Sequence, residues 1–343
     1  MNNKNQNYMK RALLILTSII ALTMLSCTNN GYKDKLRVHY ENLEPQEIHI
    51  KNYAKTLFSI DTANFGEELK KIQEEYNAFL QGDLNNPEAV NYLKAFATDT
   101  FCIRVNEMTN KKFSDIEKIN GEIKAVCQHL NYYYPDINVP NLIYLYISGI
   151  DYQMPSVMIQ SDAILISMDF YLDDYGIYDY VGLPRYYSLR CNPSYITRDL
   201  AQTIYSSYIE RNEAQKDALT EMIKAGKRLY FVEALNPTLP DSIIMGYSSK
   251  QMQWAENYEA DVWAALVGNN MLYSNTKDNF RALFGDGPFT QAFSNDAPAR
   301  LGEYLGLQII RSYMTNNDVS LQDLMKNNDI QHLFQNSQYK PKS

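Results

Sequence analysis

Leu142-Ile-Tyr-Leu-Tyr-Ile147, Val157-Met-Ile159 and Ala163-Ile-Leu-Ile-Ser-Met168 are three β-branched and aromatic runs close together in the middle of the chain. Gly149, Pro155 and Asp162 part them, residues that favour turns. Together they predict a small, mostly antiparallel sheet of about three or four strands. Past Pro193 the apolar spacing becomes helical almost to the end. Helices are expected over 194–211, 214–235, 249–272 and 297–315, with short pieces at 320–326 and 329–336. Upstream, Leu69, Ile72, Tyr76 and Phe79 lie at helical spacing within 67–79, and 87–96 reads as another helix. A further helix over 114–133 is opened by a capping Ser114, with Glu117 three residues on. The fold class that follows is α+β and predominantly helical, a small sheet followed by a helical C-terminal half.

The chain has 343 residues, 45% hydrophobic and 21% charged, which excludes wholesale disorder and gives it core enough to fold without disulfides or metal. A net charge of -8 and a pI near 5.2 argue against a nucleic-acid partner, since that affinity comes from neutralising phosphates. Tyrosine is in excess, 28 residues against 14 glycines. No Pro/Gly/Ser-rich linker or repeat interrupts 47–339, so a single domain is expected over 46–341.

Residues 12–25 carry no charge and follow Lys10 and Arg11. The run is too short to span a bilayer, which takes about 20 apolar residues. It reads as a secretory signal peptide over 1–26. Met24-Leu-Ser-Cys27 resembles the lipobox of bacterial lipoproteins, with Met where Leu is usual. The resemblance implies that Cys27 is acylated and becomes the mature first residue. The competing readings are a chance cysteine in an ordinary signal peptide, or a membrane anchor. Acyl chains at about 0.8 kcal/mol per buried methylene hold a protein to a membrane almost irreversibly. Losing Lys4, Lys10 and Arg11 takes the charge from -8 to -11, so the lipid rather than the surface must anchor this body. Residues 28–35 are polar and read as part of a tether over 27–45.

Cys102, Cys127 and Cys191 match no metal-ligand spacing. They read as buried free thiols, with a Cys102–Cys127 disulfide as the alternative. A small sheet followed by helices is also a zinc-peptidase layout, which needs two histidines a helical turn apart. The four histidines, His39, His49, His129 and His332, are too scattered, and Tyr195-Ile-Thr-Arg-Asp-Leu-Ala-Gln-Thr-Ile-Tyr205 contains none. There is no G-x-S-x-G elbow, and Gly285-Asp-Gly287-Pro288 reads as a turn rather than a phosphate loop. No metal, cofactor or catalytic residue is therefore assigned. Asp169, Asp173 and Asp174 follow the last apolar strand, so a hydrolase using Asp169 and Asp173 is the rival reading. Glu256, Glu259 and Asp261 flank Trp254 and Trp263 on one expected helix and read as the rim of an aromatic stripe. Lys224, Lys227 and Arg228 are expected to pair with these or neighbouring acids.

The C-terminal half carries further blocks. Leu219-Thr-Glu-Met-Ile-Lys-Ala-Gly-Lys-Arg-Leu-Tyr-Phe231, Pro240-Asp-Ser-Ile-Ile-Met-Gly-Tyr247 and Gln253-Trp-Ala-Glu-Asn-Tyr-Glu259 come first. Ala297-Pro-Ala-Arg-Leu-Gly302, Gly306-Leu-Gln-Ile-Ile-Arg-Ser-Tyr-Met314 and Tyr339-Lys-Pro341 follow. In order and spacing these, with Tyr133-Tyr-Pro135 and Met168-Asp-Phe-Tyr-Leu172, resemble the gliding motility lipoprotein GldB family of the Bacteroidota. The resemblance implies an envelope lipoprotein tied to gliding and to type IX secretion, without established catalytic residues. Its partners would be the membrane, through lipidated Cys27, and unidentified envelope proteins of that machinery. Acidic residues directly after Cys27, a surface-export cue in this phylum, are lacking, which favours facing the periplasm; an outer-membrane lipoprotein is the expected location. By fold-level analogy the layout also resembles predicted zinc proteases that carry H-E-x-x-H. Gly226-Lys-Arg-Leu-Tyr-Phe-Val-Glu233 sits where their later glutamate helix would be, and the histidines are missing. A pseudo-peptidase scaffold acting by protein–protein interaction is the expectation; a periplasmic glycan- or peptide-binding lipoprotein is the third reading.

Overall fold

The computed structural model describes residues 31–38, 47–160, 162–210, 217–290 and 293–342. Cys27, His39 and the signal peptide expected over 1–26 lie outside them. The elements begin with α1 (Gly31–Lys35), β1 (His49–Asn52), α2 (Tyr53–Leu57), α3 (Phe65–Ile72), α4 (Pro87–Thr98), α5 (Thr100–Lys112) and α6 (Ile116–Tyr133). The strands β2 (Leu142–Tyr146), β3 (Val157–Gln160) and β4 (Ala163–Ser167) follow, then a 3-10 turn (Met168–Tyr171), α7 (Tyr175–Tyr180) and α8 (Arg185–Ser188). The helical half comprises α9 (Ile196–Ile204), α10 (Ala218–Leu235), α11 (Asp241–Met245), α12 (Ser249–Asn257) and α13 (Glu259–Gly268). It closes with α14 (Lys277–Phe284), α15 (Leu301–Asn316), α16 (Leu321–Lys326) and α17 (Ile330–Ser337). The fold is α+β and predominantly helical, as expected.

The sheet corrects one expectation. Its order is β1-β2-β4-β3, with β1–β2 and β2–β4 parallel and only β3–β4 antiparallel, so it is mixed rather than mostly antiparallel. Parallel strands need long crossovers. Residues 53–133 supply the first, and the β3 excursion lets β4 return beside β2 in register, Ile143 against Ile164 and Leu145 against Ile166. Every residue of β4 is buried, which is why it reads as an unbroken apolar run.

Alternation across β2 divides the core. Ile143 and Leu145 join Ile164 and Ile166 against the C-terminal helices. Tyr144 and Leu165 pack on the other face with Tyr53, Leu57, Leu69 and Tyr76 from the N-terminal helices. Where α10 crosses α15, Gly226 faces Gly306, and a Cβ on either would overlap the opposing helix's backbone. Cys102, Cys127 and Cys191 are buried free thiols.

Boundaries moved for local reasons. Asp115, not Ser114, caps α6, accepting from the Lys118 amide at 3.4 Å. The helix expected over 67–79 ends at Ile72 and gives way to turns. The helix expected over 249–272 breaks at Tyr258. Residues 31–36, which fall in the tether expected over 27–45, are docked: Tyr32 and Leu36 are buried, and Lys35 donates to the Asn317 carbonyl.

A candidate binding groove and the buried carboxylates

β3, the 3-10 turn and α9 enclose a cavity of about 550 Å³, lined by Ser156, Tyr171, Arg190, Cys191, Arg198 and Asp199 among others. Tyr171 donates to Asp199 Oδ2 at 3.0 Å and lies 2.9 Å from Ser156 Oγ. Arg198 holds Asp199 Oδ1 at 2.8 Å and donates through Nε to the Ile244 carbonyl at 3.3 Å. Both oxygens of Asp199 are thus committed, on the helix noted in the sequence for its lack of histidine. Burial, reinforced by the Asp199 charge, lifts the Tyr171 hydroxyl well above the phenol range, so it remains a donor. Burial likewise pushes the Cys191 thiol up to about 12, leaving it protonated and a poor nucleophile at neutral pH.

The acids at the strand edge do not converge. Asp169 is fully buried: Oδ1 accepts from Ser167 Oγ at 2.6 Å, and Oδ2 from the Ser148 and Ile150 amides at 3.0 and 2.7 Å. Burial raises its pKa, with those hydrogen bonds pulling the other way. It organises the loop leading towards β3. Asp173 makes an outward ion pair with Lys112 at 3.4 Å, and Asp174 caps α7. The aspartates proposed for a hydrolase therefore face separate surroundings.

Glu233 lies in a second buried network. Arg311 grips both its oxygens, Nε–Oε2 at 3.0 Å and Nη2–Oε1 at 2.9 Å, and bonds Asp241 through Nη1 and Nη2 at 2.6 and 2.9 Å. The Arg311 guanidinium sits 5.2 Å from the Tyr32 ring centre. Burial raises the Glu233 pKa despite Arg311. At Asp241 burial pushes the same way, but Arg311 outweighs it and holds that carboxyl low. Glu259 lies inside rather than on a rim: Tyr304 and Tyr339 each donate to it at 2.8 Å, and the Lys342 amide at 3.1 Å. Of the cations on α10, Arg228 pairs with Glu303 at 2.9 Å and Lys224 with Glu221 at 3.2 Å. Lys227 donates to the carbonyls of Met325 and Asn327.

His129 is buried on α6, its Nδ1 2.8 Å from the Ala125 carbonyl, while His332 stands on α17 and His49 on β1. The groove residues Arg190, Arg198, Asp199 and Tyr171 were not singled out in the sequence. The available signal was an adjacent Arg–Asp pair within the apolar pattern of α9, where Arg198 is buried.

These features define an α+β protein with a mixed sheet, a groove beside its edge strand, and interior carboxylates held by arginine and hydroxyl groups. The chain belongs to the gliding motility protein GldB family, whose model matches residues 33–341. Comparison with curated proteins and with solved structures returned no match. No helix among the described residues is long and apolar enough to cross a membrane.

Proposed function

We propose that this member of the gliding motility family is a lipoprotein anchored through Cys27 that acts by binding other envelope proteins on a pseudo-peptidase scaffold. The observation that carries the reading is the commitment of the carboxylates a hydrolase would use. Glu233 spends both oxygens on Arg311, Asp199 on Arg198 and Tyr171, and Asp169 on its own loop. Such groups are poorly placed to act as bases or to ligate a metal. Exposed aromatics supply a docking surface: Tyr92, Tyr180 and Tyr273 are 77%, 74% and 60% exposed. The lipobox supports the lipid anchor, and the lack of acids directly after Cys27 supports a location facing the periplasm, on the outer membrane in this reading.

Crosslinking in native membranes followed by partner identification tests the binding role; discrete envelope proteins are expected, and their absence contradicts it. Metal analysis of purified protein tests the scaffold: stoichiometric zinc that is lost on mutating His129 or His332 overturns the pseudo-peptidase reading.

A further inference from the structure

A second cavity, of about 440 Å³, adjoins the groove and shares Arg190 with it. Its lining holds Arg185, Arg190 and Arg300 against a single carboxylate, Asp286, in a chain of net charge -8. Each guanidinium lies over a tyrosine: Arg185 on Tyr175 at 3.6 Å, Arg190 on Tyr187 at 5.1 Å and Arg300 on Tyr247 at 5.6 Å. Gly246, at φ +68°, makes room for the convergence, since a Cβ there would meet Arg190 Cδ at 3.0 Å and Arg300 Nη2 at 3.1 Å. Arg300 itself has φ +61°, a conformation costly for a side-chain-bearing residue.

Arg300 is only 8% exposed, and its Nε has no hydrogen-bond partner among the described residues. Asp286 Oδ1 stands 3.4 Å from that atom, while Oδ2 accepts from Arg190 Nη2 at 2.6 Å. Burial holds the Arg300 pKa below its ordinary value, and Arg190 and Arg198 push the same way against Glu303. Glu303 Oε2 stands 3.7 Å from Arg300 Nη1 but does not line the cavity, where the three guanidiniums outnumber the carboxylates. Asp286 supplies one from a half-open position, 41% exposed, on a turn flanked by Gly285 and Gly287.

We propose that this cavity receives a carboxylate of a partner polypeptide, clamped by Arg190 and Arg300, and that Asp286 occupies the place in the free protein as an internal competitor. Two guanidinium forks around one carboxylate already present the geometry that recognises this group. A polypeptide is the favoured source because the adjoining groove is lined by β3, the edge strand of the sheet, where an extended chain can lie. The inference deepens the binding role proposed above, but its test uses purified protein, so its failure would leave partner crosslinking untouched.

The test is titration calorimetry of the purified full chain with an N-acetylated tripeptide acid, the same tripeptide as its C-terminal amide, and inorganic phosphate. The acid is expected to bind, with the amide and phosphate at least about tenfold weaker. Asp286→Asn should tighten binding of the acid about threefold or more, and Arg190→Gln should weaken it about tenfold, both with wild-type circular dichroism. Equal binding of acid and amide, a preference for phosphate, or no binding of the acid overturns the proposal. So does an Asp286→Asn variant that binds no more tightly than wild type.

Discussion

Ile150 has φ +59°, a left-handed conformation that is a true outlier for a β-branched residue. Its amide donates to Asp169 Oδ2 at 2.7 Å, so the buried carboxylate holds the strained turn in place. Asp169→Ala would leave the Ser148 and Ile150 amides without that acceptor. It should cost about 2–4 kcal/mol in urea denaturation, and a loss below about 1 kcal/mol would contradict the role. The sequence marked Asp169 as an acid at a strand edge, but nothing in its spacing reveals that its donors come from residues 148–150. His129 gives a pH signature. Burial lowers its pKa, so the unfolded chain takes up a proton near pH 6.5 while the folded chain resists it. This contribution leaves stability unchanged above about pH 6.5 and lowers it as the pH falls below that value. Denaturation midpoints should therefore fall more for wild type than for His129→Gln between about pH 7.5 and 5.5; parallel falls would remove His129 as a cause.

Gly226 and Gly306 let α10 and α15 approach backbone to backbone through the centre of the helical half. Gly306→Ala must push the helices apart. It is expected to destabilise by about 3 kcal/mol or more, read as a lower melting temperature, against the small gain that Ala usually brings within a helix. A neutral or stabilising result would contradict the close crossing. At this scale much was legible: the helices at 218–235 and 301–316 followed from apolar spacing, and β2 and β4 from their β-branched runs. The strand β1, His49-Ile-Lys-Asn52, was not, because an edge strand with one apolar residue leaves no period to read. Nor was the parallel pairing, which depends on where residues 53–133 carry the chain. The groove was missed for a related reason: its residues come from four separate segments, within 155–159, 170–171, 187–191 and 198–207, that only the fold brings together.

Across the whole molecule, residues 31–36 are part of the body. Tyr32 lies against Arg311 and 6.2 Å from the Tyr230 ring, closing over the Glu233–Arg311–Asp241 network. Four residues from Cys27 to Gly31 reach at most about 14 Å, so an acylated Cys27 would keep this face close to the membrane. Cys27→Ser is expected to block maturation and release the protein from membranes; a mutant that stays membrane-bound at its processed size would refute the anchor. The central claim is that the protein works by binding and not by catalysis. Its most direct measurement is the gliding of a motile strain that lacks its own family member and carries this chain with Asp199→Asn, a change that removes the carboxylate lining the groove and keeps the side chain's shape. The account predicts gliding equal to that with the wild-type gene. An Asp199→Asn protein present in membranes at normal abundance that fails to restore movement would contradict it.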